Sequence, residues 1–373
     1  MALSQRVGFE VIKVEGMARA GWLYTAHGAV PTPAFMPVAT HGALKAFPHH
    51  LLHDARLILA NTYHLYLRPG PLLLSEAGGL HRFMGWPYAL LTDSGGYQVF
   101  SLASHRRLTE EGVLFKSHLD GSLHLFTPEK VVEIQRVIGS DIQMVLDVCP
   151  PYPATAAEMA EALRLTHAWA PRARKAFLEA PMAYGYPIQQ FAIVQGGVDP
   201  ELRRASYAAL KPWGFEGWAV GGLAVGEPFE LRQPILHLMG KLLPEDKPRY
   251  VMGLGTPRDV LEAIAAGMDL MDCVLPTRNA RHGQIFTSEG ILPIRNAQFR
   301  ADFTSLPPWG YTRAYLHHLF RSQDPLAFVL ATAANLHFFL SLLAEARERI
   351  IAGTFAEWRT TIEPRLSQRC SAA

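Results

Sequence analysis

The segment FEVIKVEGMARAGWLYTAHGAV alternates apolar and polar residues around glycine-containing turns, which predicts a small antiparallel sheet near the N-terminus. Downstream the pattern changes to short, almost wholly apolar runs. These are AFMPVAT (34–40), RLILANTYHL (56–65), YALLTDSGG (88–96), DIQMVLDVC (141–149), QQFAIVQGG (189–197), GWAVGGLAVG (217–226), RYVMGLG (249–255) and DLMDCVLP (269–276). Each is too short for a typical helix, and most are bounded by Gly, Pro or polar residues, as buried parallel strands are. Amphipathic stretches fill several gaps: TPEKVVEIQRVIG, TAAEMAEALRLTHAWAPRARKAF, DPELRRASYAAL, PFELRQPILHLMGKLL and TPRDVLEAIAAG. The first opens with a capping Thr, Pro at the first helical position and Glu after it. Strand–helix alternation repeated about eight times predicts an α/β chain folded as an irregular (β/α)8 barrel rather than an open doubly wound sheet. After Pro276 the pattern changes again. SLPPWG is a breaker, and YTRAYLHHLFRS, PLAFVLATAANLHFFLSLLAEARERIIAG and FAEWRTTIE read as helices. The expected organisation is a catalytic barrel with its N-terminal strands over residues 1–300 and a C-terminal helical appendage over 301–373.

The polar residues of the apolar runs collect at one end. Asn61 follows LILA, Asp93 follows ALLT, Asp147 follows QMVL and Gln195 follows FAIV. Gly221 and Gly222 follow WAV, Gly253 follows YVM, and Asp272 ends the last run. Taken singly, each Asn, Asp or Gln reads as a helix cap or turn former. Together they predict a polar pocket, because a (β/α)8 barrel builds its active site at the C-terminal ends of its strands. Asp272 is the oddest of them: a carboxylate among Met271, Cys273, Val274 and Leu275 costs free energy unless something pairs with it or uses it.

Three carboxylates without metal-ligand spacing suggest covalent and acid–base chemistry. A retaining glycosyl transfer uses one as nucleophile and another as acid, then base. A third can accept two N–H donors from a purine-like edge. The run GGLAVG lets backbone groups approach a flat ligand, Tyr97 can stack on it, and Arg278 and Arg281 can bind phosphate. The residues point to chemistry at the glycosidic bond of a nucleotide in a nucleic acid. The net charge of +2 over 373 residues makes a weak overall field, so cationic binding must be local. The three cysteines, Cys149, Cys273 and Cys370, form no CxxC or disulfide framework, which suits a reducing cytoplasm. The N-terminus carries no signal pattern and no apolar run looks long enough to span a bilayer, so a cytoplasmic location without a membrane is expected.

Several ordered motifs resemble the tRNA-guanine transglycosylases of bacterial type: ANTYHLYLRPG (60–70), LTDSGGYQVFSL (91–102), EEGVLFKSHLDGS (110–122), VQGGV (194–198), GGLAVGE (221–227), MDCVLPTRNARHGQ (271–284) and YTRAYLHHL (311–319). The resemblance runs from the N-terminal strands to about residue 340 and implies the same irregular barrel. It implies that Asp272 attacks C1′ of the wobble guanosine in a tRNA with a GUN anticodon, while Asp93 is general acid and then base. Asp147, Gln195, Gly222 and Leu223 match groups that bind the base, Tyr97 and Met252 the two faces that sandwich it, and Asn61, Gly253 and Val225 line the same pocket. Thr277, Arg278, Asn279 and Arg281 match the loop at the anticodon backbone. The implied reaction exchanges guanine for 7-aminomethyl-7-deazaguanine (preQ1) through a covalent ribosyl ester and needs no organic cofactor. Val225 stands where queuine-using members carry Gly, which favours preQ1 and guanine over queuine. A homodimer is also implied, with Phe83, Tyr311, Tyr315 and His318 at aromatic contact positions.

Two departures stand out. Val148 occupies the position after Asp147 where most members carry an acid, and strand alternation predicts that it points away from the ligand. Members of bacterial type also hold a structural zinc on three cysteines and a histidine. Here those positions hold Phe303, Ser305, Pro308 and Ala334, so a zinc-free protein is expected, with Phe303 and Trp309 burying apolar area in place of the ion. Two other readings compete. One is a non-catalytic tRNA-binding subunit, which should have lost Asp93 or Asp272. The other is a sugar-cleaving hydrolase, which needs neither TRNAR nor a base-edge constellation.

Overall fold

The computed structural model describes residues 6–102, 106–366 and 368; Cys370 lies outside them. All eight apolar runs form strands: β1 (Ala34–Ala39), β2 (Leu57–Ala60), β3 (Ala89–Thr92), β4 (Ile142–Met144), β5 (Gln189–Val194), β6 (Gly217–Val220), β7 (Arg249–Val251) and β8 (Leu270–Cys273). They close into one parallel barrel, with β8 pairing β1 and β3 pairing β4. This is the expected irregular (β/α)8 fold, with antiparallel strands before it and helices after it.

Strand parity decides what enters the barrel. Leu57, Leu59, Leu91, Met144, Phe191, Ile193 and Leu270 belong to the largest apolar cluster, whereas Ile58, Ala60 and Leu90 pack in a second cluster with Val131, Ile134 and Trp169 of the surrounding helices. Two residues past Leu59, Leu91, Ile193 and Leu270 stand Asn61, Asp93, Gln195 and Asp272. The core residues therefore carry the polar ones onto the same inward face. Helix starts follow the cap chemistry of the sequence. Thr127 Oγ1 accepts from Lys130 N at 3.1 Å, Thr155 and Glu158 form a reciprocal capping box, and Thr256 and Thr312 cap the helices Pro257–Ala265 and Arg313–Arg321.

The N-terminal strands Gly8–Glu15, Ala18–Thr25 and Gly28–Thr32 form the predicted antiparallel sheet. Arg19 fastens it to the N-terminal end of the barrel. Its guanidinium engages both carboxylate oxygens of Asp269 and donates to the carbonyls of Glu245 and Lys247 at 2.8 Å. A further antiparallel sheet, Arg106–Leu108, Val113–Lys116 and Leu123–Phe126, is inserted between β3 and β4. The apolar runs of the sequence do not include its strands, which are short and, as in Val113–Lys116, bury only alternate positions such as Val113 and Phe115.

Helix Leu326–Ala352 corrects one expectation. It is long and apolar enough to pass for a bilayer span by length and composition, yet most of its apolar window is buried in the protein. Phe339, Leu342, Leu343, Ala346 and Ile350 join the same cluster as Phe35. Its apolarity on several sides is that of a core helix. The region of the absent cysteines requires a second correction. Phe303 is 76% exposed and Trp309 40% exposed, so neither buries its side chain there. Phe299, Leu306, Leu316, Leu319, Phe320 and Ala334 form the local apolar cluster instead.

Arg19 and Asp269 are 4% and 0% exposed. Replacing Arg19 with Met strands a buried carboxylate, and such breaks cost about 3–5 kcal/mol. Urea unfolding of Arg19→Met should lose stability of that order, and the double variant Arg19→Met/Asp269→Leu should regain part of it.

Candidate active site

Asp93 follows β3 and is held by the end of β2. Asn61 Nδ2 donates to Asp93 Oδ2 at 2.5 Å, and the N–H groups of Thr62 and Gly95 donate to Oδ1 at 2.9 and 3.1 Å. Asn61 Oδ1 also accepts from His64 N at 3.1 Å, so one side chain both caps a helix and clamps a carboxylate. Gly95 has φ +78°, and a Cβ there would lie 2.9 Å from Tyr63 N. Only glycine fits this turn without strain.

Asp272, on β8, is held by the end of β7. Tyr250 Oη donates to Asp272 Oδ1 at 2.6 Å and Gly253 N donates to the same oxygen at 2.8 Å. Among the described residues no donor engages Oδ2. Asp272 is also more exposed than Asp93 or Asp147, so Oδ2 is the oxygen able to attack a ligand in the mouth of the barrel.

Asp147 lies beyond β4 and is held from β5. Gln195 Nε2 donates to its Oδ2 at 2.6 Å, and Ser94 Oγ lies 3.4 Å from Oδ1. Gln195 Oε1 is buried without a hydrogen-bond partner, an acceptor that a ligand N–H would satisfy. A Cβ on Gly221 or Gly222 would strike the Gln195 amide, at 2.6 Å from Nε2 or 2.3 Å from Oε1. The Gly-Gly pair therefore lets the β6 turn pass against the Gln195 side chain.

Two of the carboxylates act on the third. Burial, reinforced by the charges of Asp272 and Asp147, pushes the Asp93 carboxyl up to about 7 against the N–H groups that favour its anion. Burial pushes Asp147 up to about 6, opposed by Gln195 and Ser94. It raises Asp272 as well, against the hydrogen bonds from Tyr250 and Gly253. Asp93 is thereby poised to hold or release a proton near neutrality, as a general acid–base group requires.

With this geometry the comparison with known proteins is specific. The family described as Queuine tRNA-ribosyltransferase matches residues 14–368. The chain belongs to this family. A Queuine tRNA-ribosyltransferase of Solidesulfovibrio magneticus is 50% identical over 358 residues, covering 94% of this chain and 95% of that protein. Proteins of the same name from Nitratidesulfovibrio vulgaris and Ruegeria pomeroyi are 50% and 48% identical, each over 95% of this chain and 96% of its own length.

Within this ribosyltransferase fold the remaining expected residues divide. Leu223 is buried and Val225 partly so, and both lie in the turn after β6. Tyr97 is 52% exposed at the rim, and Met252 packs partly against the core. Arg278 is exposed, and Arg281 and Asn279 are partly exposed on the helix Leu275–Arg281. Thr277 is different: it is buried, and its hydroxyl donates to Val274 O at 3.3 Å. Its side chain serves the helix and is turned from solvent. Val148 is buried in the outer cluster with Leu146, Leu165 and Trp169, on the side away from the pocket, as strand alternation predicts.

Four neighbours of the site escaped the sequence reading. Tyr250 was legible by parity, since it pairs with Leu270 and stands two residues before Met252. Cys149 is half-buried beside Asp147, Gln195 and Gly222, and desolvation pushes its thiol up to about 12. Arg203, fully buried, donates to the carbonyls of Val194 and Gly197 at 2.6 and 2.9 Å and supports the turn bearing Gln195. Glu227 accepts the N–H groups of Ala224 and Val225 at 2.5 and 3.0 Å and shapes the β6 turn. Arg203 and Glu227 sit in ordinary amphipathic sequence, where nothing marks a buried charge.

The raised value of Asp147 has a consequence for stability. Its ionisation is disfavoured by folding, so stability falls as pH rises from the unfolded value near 3.8 through about 6. Asp147→Asn removes that term. Its melting temperature relative to the wild type should improve between pH 4 and pH 8, by at most about 3 kcal/mol in stability. An advantage that shrinks with rising pH would contradict the assignment.

Proposed function

We propose that this protein exchanges guanine at the wobble position of tRNAs with a GUN anticodon for preQ1, by way of a covalent ester on Asp272. The observation that carries the reading is the pairing of two differently held carboxylates. Asp272 has one oxygen fixed by Tyr250 and Gly253 and one open, while Asp93 titrates near 7. Asp272 Oδ2 bonds to C1′ as the bond from C1′ to guanine breaks, and Asp93 supplies the proton the departing base needs. The incoming base gives its proton back to Asp93 and attacks C1′, releasing Asp272. Two inversions give net retention. Asp147, Gln195 and Gly222 bind the base edge, with Tyr97 and Met252 on its faces. Arg278, Asn279 and Arg281 take the anticodon backbone.

The β6 turn supports the choice of base. The Ala224 N–H points to Glu227, so the Leu223 carbonyl on the same planar peptide points the opposite way. It is an acceptor suited to the ammonium arm of preQ1. Val225 beside it restricts room for the larger cyclopentenediol of queuine. A non-catalytic subunit is disfavoured, because both Asp93 and Asp272 are present and each is held by donors from the neighbouring strand.

The partner copy of a homodimer would cover Phe83, Tyr311, Tyr315 and His318. All four are exposed, and the two tyrosine rings stack at 5.5 Å, which favours an interface over a core role. A tRNA substrate and the unpaired Cys149 and Cys273 suit the cytoplasm.

The residues at the family's zinc positions do not fit the metal. Phe303, Pro308 and Ala334 offer no donor and Ser305 only a hydroxyl, whereas structural zinc takes thiolates and imidazoles. His317 is committed, its Nδ1 lying 2.8 Å from Ile294 O. Purified protein should contain well under one zinc per chain, and a strong chelator should leave its melting temperature unchanged. Stoichiometric zinc that survives dialysis would overturn this.

The activity is tested by incubating the protein with unmodified tRNA carrying radiolabelled guanine at the wobble position. Release of label by preQ1 and by unlabelled guanine, with queuine at least tenfold poorer in kcat/KM, is the expected result. Val225→Gly should narrow the gap to queuine. No release from tRNA, or release of sugar fragments instead, would contradict the reading.

A further inference from the structure

The loop after β1, the helix after β2 and the sheet inserted after β3 bring three imidazoles together at the mouth of the barrel. The rings of His41 and His64 lie 4.6 Å apart and those of His64 and His118 5.9 Å apart. His64 belongs to the helix Thr62–Leu67, whose first residues hold Asp93 through Asn61 and Thr62. The cluster is therefore about one helical turn, roughly 5 Å along the axis, from the groups that grip the general acid. Lys45, from the loop of His41, and Arg68, from the end of the helix, complete the surroundings.

The groups bearing on His64 are His41, His118 and Lys45, and those bearing on His41 are Lys45, His118 and Arg68; none of them is an anion. Tyr63 Oη lies 2.7 Å from His118 Nδ1, and burial keeps that phenol protonated. As donor it leaves His118 Nε2–H directed elsewhere. The nearby carboxylate, Asp120, is occupied by the Ser122 hydroxyl at 2.6 Å and N–H at 3.1 Å and lies beside His124. Gathering Lys45, Arg68 and three protonatable rings without a counter-ion is unfavourable in the empty protein and keeps protons off the rings. An anion bound among them removes that cost.

We propose that His41, His64 and His118, with Lys45 and Arg68, bind a backbone phosphodiester of the tRNA from the β1–β3 side of the barrel mouth, while Arg278 approaches from β8. This rests on the tRNA reading above and adds a second phosphate contact to it. Imidazoles give the site a property that Lys and Arg lack. Burial and then the neighbouring cations hold His64 down to about 4, and the same causes lower His41. Both are neutral at pH 7 in the free protein. A phosphate beside them favours the imidazolium by about one to three pH units. Binding therefore takes up protons, and affinity rises as pH falls from 8 to 6.

The test measures the Kd of unmodified tRNA for the full-length protein at pH 6 and pH 8 over a series of salt concentrations. The variants are His41→Gln/His118→Gln, at two exposed positions, and Arg278→Ala; melting temperatures check that each is folded. Wild type should bind about threefold or more tighter at pH 6. The double variant should lose most of that gain, and its log–log salt slope should flatten by about one unit. Arg278→Ala should flatten the salt slope but keep the pH dependence. A double variant with wild-type pH and salt dependence overturns the site. So does a cluster whose imidazole NMR signals respond to inorganic phosphate while tRNA affinity is unaffected by the substitutions, since that marks a site for free phosphate only. Guanine exchange by the wild type separates the failures: exchange with an unchanged double variant removes this site and leaves the activity standing.

Discussion

Three carboxylates are drawn out of water at one end of a closed barrel, and each stays there because the neighbouring strand supplies its donors. The end of β2 serves Asp93 on β3, the end of β7 serves Asp272 on β8, and β5 serves Asp147 beyond β4. These are hydrogen-bonded strand pairs, with Ala60 opposite Thr92, Val251 opposite Met271 and Met144 opposite Phe191. The register that builds the barrel is therefore the register that satisfies the site. A slip by one residue would turn a carboxylate or its donor to the outer face. The apolar positions two residues back, Leu59, Leu91, Ile193 and Leu270, oppose that slip by filling the interior.

The donors differ, and so do the tasks the carboxylates suit. Asp272 receives two bonds on one oxygen from the rigid β7 end, which leaves an oriented anion with an open oxygen. Asp93 is enclosed more tightly and feels two other carboxylates, which brings its proton within reach near neutrality. The arrangement is unfavourable for stability, because like charges are gathered in a poorly solvated space. Proteins retain such strain where chemistry depends on it. The buried Arg203 and Glu227 keep the turns around the pocket in place, which the three carboxylates cannot do for themselves.

Much of this was legible in the sequence because parity and burial are strong signals. Eight apolar runs became eight strands, and the polar residues at their ends converge as barrel geometry requires. Tyr250 was missed because a Tyr within an apolar strand reads as core, and it is core: only its hydroxyl reaches Asp272. The sheet between β3 and β4 was missed because its strands are short and half exposed. Thr277 was placed with the anticodon-facing residues by its position in TRNAR, but helix geometry turns it inward. Phe303 and Trp309 were expected to fill space and lie at the surface, since Phe299 and Leu306 already occupy it. Residue type alone does not say which member of a breaker-rich segment faces in.

The central claim is that Asp272 becomes covalently joined to the tRNA ribose. It is tested most directly by mixing the protein with unmodified tRNA, denaturing, and looking for a protein–RNA species by gel and by mass. The wild type should give a denaturant-resistant adduct that dissolves when preQ1 is added before denaturation, with the ester mapped to the peptide containing Asp272. Asp272→Asn should bind tRNA with nearly unchanged affinity and give no adduct. An adduct of undiminished yield in Asp272→Asn, or one mapped to another carboxylate, would contradict the account.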